Sequence, residues 1–144
     1  MREICEGIQE MPSGVDDALT ARVIWCIIQV HQKLGPGFLE TVYRRALLIE
    51  LERQRLAFET EKEITVFYDE HDVGRHRLDL LVEGRLILEM KAVESLAKAH
   101  YAQTRAYMKS ANVQRALLVN FSGERADFRR LETSVRGTSS IGRS

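Results

Sequence analysis

The chain has 144 residues, 44% of them apolar and 29% charged, which fits one globular domain. Its 21 Lys and Arg balance 21 Asp and Glu, which excludes a nucleic-acid binder working by bulk positive charge but leaves room for a locally basic groove. The 2 Cys, Cys5 and Cys26, are too few for a disulfide scaffold and lack zinc-type spacing, so a reduced intracellular compartment is expected.

Residues 1–16 carry acidic side chains and Pro12, Ser13 and Gly14 without periodicity, and read as a loose arm rather than a secretory signal. The longest apolar run, Val23 to Ile28, falls far short of the roughly 20 residues that span a bilayer. A cytoplasmic protein without membrane contact is expected. From Asp17 the pattern turns helical: Val23, Ile27, Val30 and Leu34 form one apolar stripe. Gly35-Pro36-Gly37 ends it, because Gly suits the left-handed position after a helix and Pro cannot continue one. A second helix is predicted from about Phe38 to Gln54, packed against the first through this short link.

After Arg55 the period changes to two. Phe58 to Tyr68 reads as a strand, Asp69 to Gly74 as a turn, Arg75 to Val82 as a second strand and Arg85 to Ala92 as a third. A third helix is predicted from Ser95, a candidate N-cap, to about Ser110. Arg115 to Phe121 is a buried strand, and Phe128 to Leu131 a short edge strand. Residues 17–132 thus make one α/β domain of order α-α-β-β-β-α-β, a mixed central sheet flanked by helices. Residues 133–144, rich in Ser, Gly and Arg, read as a disordered tail.

Three polar residues interrupt the hairpin of the second and third strands: Asp79, Glu89 and Lys91. Glu89 and Lys91 are two apart, so they share a face. Two carboxylates at one site suit a hard cation such as Mg²⁺, and a lysine beside them can orient water or offset charge on a phosphoryl oxygen. Whether Asp79 joins that face depends on the turn. A two-residue Glu83-Gly84 loop pairs 79 with 88 and turns Asp79 away. A bulged Val82-Glu83-Gly84 loop pairs 79 with 87 and makes Asp79 the diagonal neighbour of Glu89, roughly 7–8 Å away. Gly84 favours the bulged turn, which is the expectation carried forward. The tripeptide Glu-x-Lys alone is weak and by itself reads more readily as a solvated edge pair or salt bridge; Asp79 on the adjacent strand brings the metal-site reading level with it.

Gly37-Phe-Leu-Glu40-Thr-Val-Tyr43, its setting Val30 to Glu40, and Arg77-Leu-Asp79-Leu-Leu-Val resemble the GxxExxY family, which is placed in the PD-(D/E)XK nuclease superfamily. The likeness runs from about Ala21 to Phe121. It implies a restriction-endonuclease-like fold with Asp79, Glu89 and Lys91 as the signature triad, Leu78 standing where the nominal Pro would be. Gln103-Thr-Arg-Ala-Tyr107 is similar to the QxxxY element of RecB-type nucleases. Gln103 and Tyr107 are one turn apart on one helical face, which His100 can share.

The accessory residues each admit two readings. Glu40 in the first turn of its helix either answers the helix dipole or adds a contact at the site. Tyr43 is core or a substrate contact. Gln103 bonds backbone or trims the site, and His100 is a surface residue or a substrate contact. Arg77, and less clearly Arg75, shares the Asp79 strand face and can hold phosphate there. The expected function is a Mg²⁺-dependent nuclease, Mn²⁺ substituting, with Asp79, Glu89 and the Met90 carbonyl as ligands and nucleic acid, DNA ahead of RNA, as substrate. A homodimer stays open. The alternative is a catalytically inactive nucleic-acid-binding or protein-interaction module on the same fold.

Overall fold

A computed structural model describes residues 15–133; residues 1–14 of the expected loose arm 1–16, Cys5 among them, and the expected tail from 134 onward lie outside the described residues, while residues 15 and 16, expected in the arm, already belong to the first helix. Helix α1, Val15–Leu34, buries Val23, Ile24, Cys26, Ile27, Ile28 and Val30, wider than the predicted stripe because it packs on both the sheet and the second helix. Gly35 stops it at φ +73, its N–H donating to the His31 carbonyl at 2.7 Å. Helix α2 is Glu40–Arg53, starting two residues later than predicted, and Leu39 at its cap offers no side-chain acceptor.

Strand β1 is Phe58–Tyr68 and β2 is His71–Val82. The predicted Asp69 to Gly74 turn shrinks to Asp69 and Glu70, with Asp69 at φ 56. Strand β3 is Leu86–Lys91, and helix α3, Lys98–Ala111, crosses over to β4, Arg115–Asn120, which runs parallel to β3. Strand β5, Asp127–Glu132, adds an antiparallel edge, so the sheet order is β1-β2-β3-β4-β5. Ser95 is not the cap of α3: Ala97 holds that place, and its N–H is taken by His100 Nδ1 at 2.9 Å.

The sheet separates two apolar layers. Leu80, Val82, Leu86, Leu88, Met90, Leu117 and Val119 face α1 and α2; Leu81, Ile87, Ala116, Leu118 and Leu131 face Met108 of α3. Strand β3 is central and its residues 86–90 are buried, so truncating Ile87 to Ala is expected to remove about 2–5 kcal/mol.

The β2–β3 connection differs from the predicted one. Its ladder pairs Leu80 with Leu88, Leu81 with Ile87 and Val82 with Leu86, so the loop is Glu83–Arg85 rather than Val82 to Gly84. Glu83 and Gly84 are both left-handed, at φ 54 and 67, and Arg85 N–H donates to the Val82 carbonyl at 3.0 Å, the geometry of a type I′ turn followed by one extra residue. A non-glycine residue tolerates this because Glu83 is clamped to Ala57: its N–H donates to the Ala57 carbonyl at 2.8 Å and its carboxylate accepts the Ala57 N–H at 2.8 Å. Continuing this register by one places Asp79 opposite Glu89 itself instead of diagonal to it. The shared face is kept, and the two carboxylates come closer.

Candidate metal centre

The β2–β3 ladder ends at Leu80–Leu88, and there the Asp79 and Glu89 side chains take over the hydrogen bonding. Met90 N–H donates to Asp79 Oδ2 at 2.9 Å, and Asp79 N–H donates to Glu89 Oε2 at 3.2 Å. On its other side β2 is also irregular opposite β1. The register passes from Thr60–Leu80 to Lys62–Leu78, skipping Glu61 and Asp79, and Glu61 sits at φ 50. Asp79 therefore stands at a distortion of both its ladders, the kind of strain that a fold retains around a functional group.

Glu89 is 3% exposed, among the few charged residues buried here. Burial, then the adjacent Asp79 carboxylate, push it up to about 8 against the opposing pull of the Asp79 N–H and Lys91, with Glu40 pushing further. Glu40, first residue of α2, reaches the same place from the opposite layer. Burial and then Asp79 raise its pKa, while Lys91, Arg44 and the Ala92 N–H, which donates to it, pull the other way. Lys91 Nζ donates to Gln103 Oε1 at 3.4 Å. Tyr107 lies on the α3 side, its phenol kept protonated to higher pH by burial and then by Glu89 and Asp79.

The structure thus brings Asp79, Glu89, Lys91, Glu40, Gln103 and Tyr107 around one point. Other sequence candidates stand elsewhere. Tyr43 is fully buried, not at a substrate surface: its hydroxyl donates to the Gly35 carbonyl at 2.6 Å and accepts the Phe38 N–H at 3.2 Å, and its ring stacks on Phe121 at 4.4 Å. His100 is spent on the α3 cap. Arg77 pairs with Glu63 at 3.4 Å on the exposed strand, and Arg75 pairs with Asp72 at 2.7 Å, so both guanidiniums are engaged away from Asp79. The Met90 side chain packs in the core, and its backbone alone meets the site.

Two residues near the centre were not singled out for it from the sequence. Arg44 holds a guanidinium nitrogen 4.0 Å from Asp79 Oδ1, both side chains being largely covered. Its signal was readable, since it lies one turn after Glu40 on the same helical face. His76 packs on Tyr107 with ring centroids 4.5 Å apart. No sequence signal placed it there, because it depends on the irregular β1–β2 register. Beside the centre an open cleft of about 400 Å³ is lined by Phe38, Leu39, Glu40, Thr41 and Ala92.

Among the described residues, no three His, Cys, Asp or Glu side chains converge closely enough to hold an ion by themselves. The donor set is nonetheless of one kind. Asp79 and Glu89 present paired carboxylates whose mutual repulsion, sharpened by burial, a divalent cation would relieve. Two carboxylates suit Mg²⁺, which keeps several waters and fills its remaining positions with substrate oxygens. The residues fit such an ion in that water-rich mode and not as an all-protein cage.

A family model described as the PD-(D/E)XK nuclease superfamily matches residues 17–131 of the chain. No curated protein and no solved structure matches it. Among the described residues no helix is long and apolar enough to cross a membrane.

Proposed function

Because the chain belongs to the PD-(D/E)XK nuclease superfamily, we propose that it hydrolyses phosphodiester bonds of nucleic acid at the Asp79–Glu89–Lys91 centre in a divalent-metal-dependent reaction, with DNA as the first substrate to test. The observation that carries this reading is the crossed pair of bonds, Met90 N–H to Asp79 and Asp79 N–H to Glu89, which fixes two carboxylates together at the end of a ladder. The Gly37-to-Tyr43 motif supports a finer placement with GxxExxY proteins, since Glu40 reaches the centre and Tyr43 anchors the loop before it.

Bound at Asp79 and Glu89, Mg²⁺ or Mn²⁺ would supply Lewis-acid stabilisation of phosphoryl charge and ease ionisation of water. The chain's own groups do the rest. Lys91, whose charge acts on both Glu89 and Glu40, offsets charge building on a phosphoryl oxygen, and Gln103 holds its ammonium in place. Glu40 accepts the Ala92 N–H and turns a carboxylate toward the site where it can orient water. Tyr107, kept protonated, donates a hydrogen bond rather than taking a proton.

The test is calorimetric titration of wild type and Asp79→Ala with Mg²⁺ and Mn²⁺, followed by cleavage assays on supercoiled, linear and single-stranded DNA with RNA alongside. Millimolar or tighter binding by wild type alone, with metal-dependent cleavage, is expected. A wild type that takes up neither ion overturns the hydrolytic reading in favour of a non-catalytic module on the nuclease fold.

A further inference from the structure

Several of the described basic side chains are answered locally. Arg75 is paired with Asp72, Arg77 with Glu63, Arg129 with Asp127, Arg115 with Asp17 and Glu132, Lys62 with Glu59, and Lys33 and Arg53 share Glu50. Helix α3 is different. Its sequence, KAHYAQTRAYMKSA, holds no Asp or Glu, and none of the ion pairs among the described residues involves Lys98, Arg105 or Lys109.

Those three residues, with Ala102, follow one another at spacings of four, three and four, so the four fall within about 60° on the helix circumference. All four are exposed. Lys98 is also the first residue of the helix, where the dipole disfavours a cation, so stability alone does not account for its placement. The stripe runs about 16 Å along the axis, the rise of about five base-pair steps of a duplex. Gln103 and Tyr107, which border the metal centre, lie about 140–180° around the helix from Lys98, on the other flank of its exposed face, and the exposed side chains in between are Ala99, Ala102 and Ala106. A polyanionic backbone meeting the stripe would cross nothing larger than a methyl group on its way to Lys91.

We infer that Lys98, Arg105 and Lys109 form a phosphate-tracking surface that seats the nucleic-acid backbone flanking the scissile bond. This rests on the nuclease reading for the class of ligand. It also reconciles a neutral chain with a polyanionic substrate: three cations stand together on one helix that carries no acid, so binding is modest, local and salt-sensitive.

The experiment is fluorescence anisotropy of a labelled duplex in EDTA, where no cleavage occurs, over a range of salt, with a duplex of RNA as a second arm. Each phosphate contact contributes about 0.9 to the slope of log K against log salt, so Lys98→Gln/Arg105→Gln/Lys109→Gln is expected to lower the slope by 2–3 and the affinity at low salt at least tenfold. The charge-preserving Lys98→Arg/Arg105→Lys/Lys109→Arg should bind as wild type does, and Arg129→Gln, whose charge Asp127 already answers, should leave the slope unchanged. Equal affinity and slope in the neutralised triple variant, or no duplex binding by wild type at low salt, overturns the inference. Mn²⁺ uptake separates the two readings. Wild type that takes up the ion but shows no α3-dependent slope loses only the surface; wild type that shows the slope without taking up the ion loses only the hydrolytic centre.

Discussion

Asp79 and Glu89 are joined by backbone: the Asp79 N–H donates to the Glu89 carboxylate, while the Asp79 carboxylate accepts the N–H of Met90, the residue after Glu89. Each acid is thereby oriented by the other's strand, and neither can be removed without leaving a partly buried polar group unsatisfied. Asp79→Asn keeps an acceptor for Met90 while removing one negative charge. Its thermal midpoint should stay within a few degrees of wild type, while nuclease activity falls by at least about 100-fold, since a transition-state contact of a few kcal/mol is lost. Asp79→Ala should lose activity similarly and also destabilise by about 1–3 kcal/mol, the cost of the orphaned N–H. Urea unfolding and cleavage rates measured together on both variants separate these effects; equal activity in Asp79→Asn and wild type contradicts the assignment.

The buried Glu89 makes apo stability depend on pH in an unusual direction for a carboxylate. Its folded pKa, about 8, lies above its ordinary 4.5, so the native state holds a proton that the unfolded chain has already released. The contribution is present in full below about 4.5 and is lost as pH rises through about 8, a change of a few kcal/mol. Glu40, shifted the same way, adds to it. In EDTA the urea midpoint should fall between pH 5 and pH 9, and Glu89→Gln, which stays neutral, should flatten that fall. Millimolar Mg²⁺ should oppose it in wild type, because the ion selects the deprotonated pair. A wild-type profile that overlays that of Glu89→Gln refutes the prediction.

Tyr43 supports the centre from the core. Its hydroxyl bridges the Gly35 carbonyl and the Phe38 N–H, closing the loop that leads into Glu40. Tyr43→Phe leaves the ring stacked on Phe121 but strips both partners, and should cost about 1–3 kcal/mol. Because Glu40 begins the helix that this loop precedes, cleavage should also fall severalfold in the folded variant, with a larger change in kcat than in KM. An unchanged urea midpoint would show that water replaces the hydroxyl.

The period-two runs and the Gly-Pro-Gly stop placed most elements, because each stands on local chemistry. The face shared by Glu89 and Lys91 followed from strand parity alone; placing Asp79 on it needed a choice of turn. What parity could not give was the register. Gly84 signalled a turn with a left-handed residue, but the second left-handed residue is Glu83, and its clamp to Ala57 is a contact 26 residues apart in sequence. The same limit hid the Glu61 distortion and the His76–Tyr107 contact, which arise where two strands meet. Arg77 was misjudged because strand parity does not carry past Asp79: His76 and Leu78 face α3, so Arg77 turns to the other layer, where Glu63 on the neighbouring strand claims its charge.

Arg44 gives the sharpest separation of ion binding from stability. Its guanidinium stands 4.0 Å from Asp79 and lowers the pKa of Glu40, so in the apo protein it offsets the repulsion among Asp79, Glu89 and Glu40. A divalent cation at the same carboxylates would feel that charge as repulsion. At 4 Å and an effective dielectric constant of 20 the pairwise interaction is about 4 kcal/mol, and partial exposure of both side chains reduces its net worth to about 1 kcal/mol. Arg44→Gln should therefore lower the apo thermal midpoint while tightening Mg²⁺ binding severalfold, two effects of opposite sign from one substitution. A purely structural arginine would move the midpoint alone. Weaker ion binding in Arg44→Gln would place the cation away from Asp79 and would remove that residue from the ligand set.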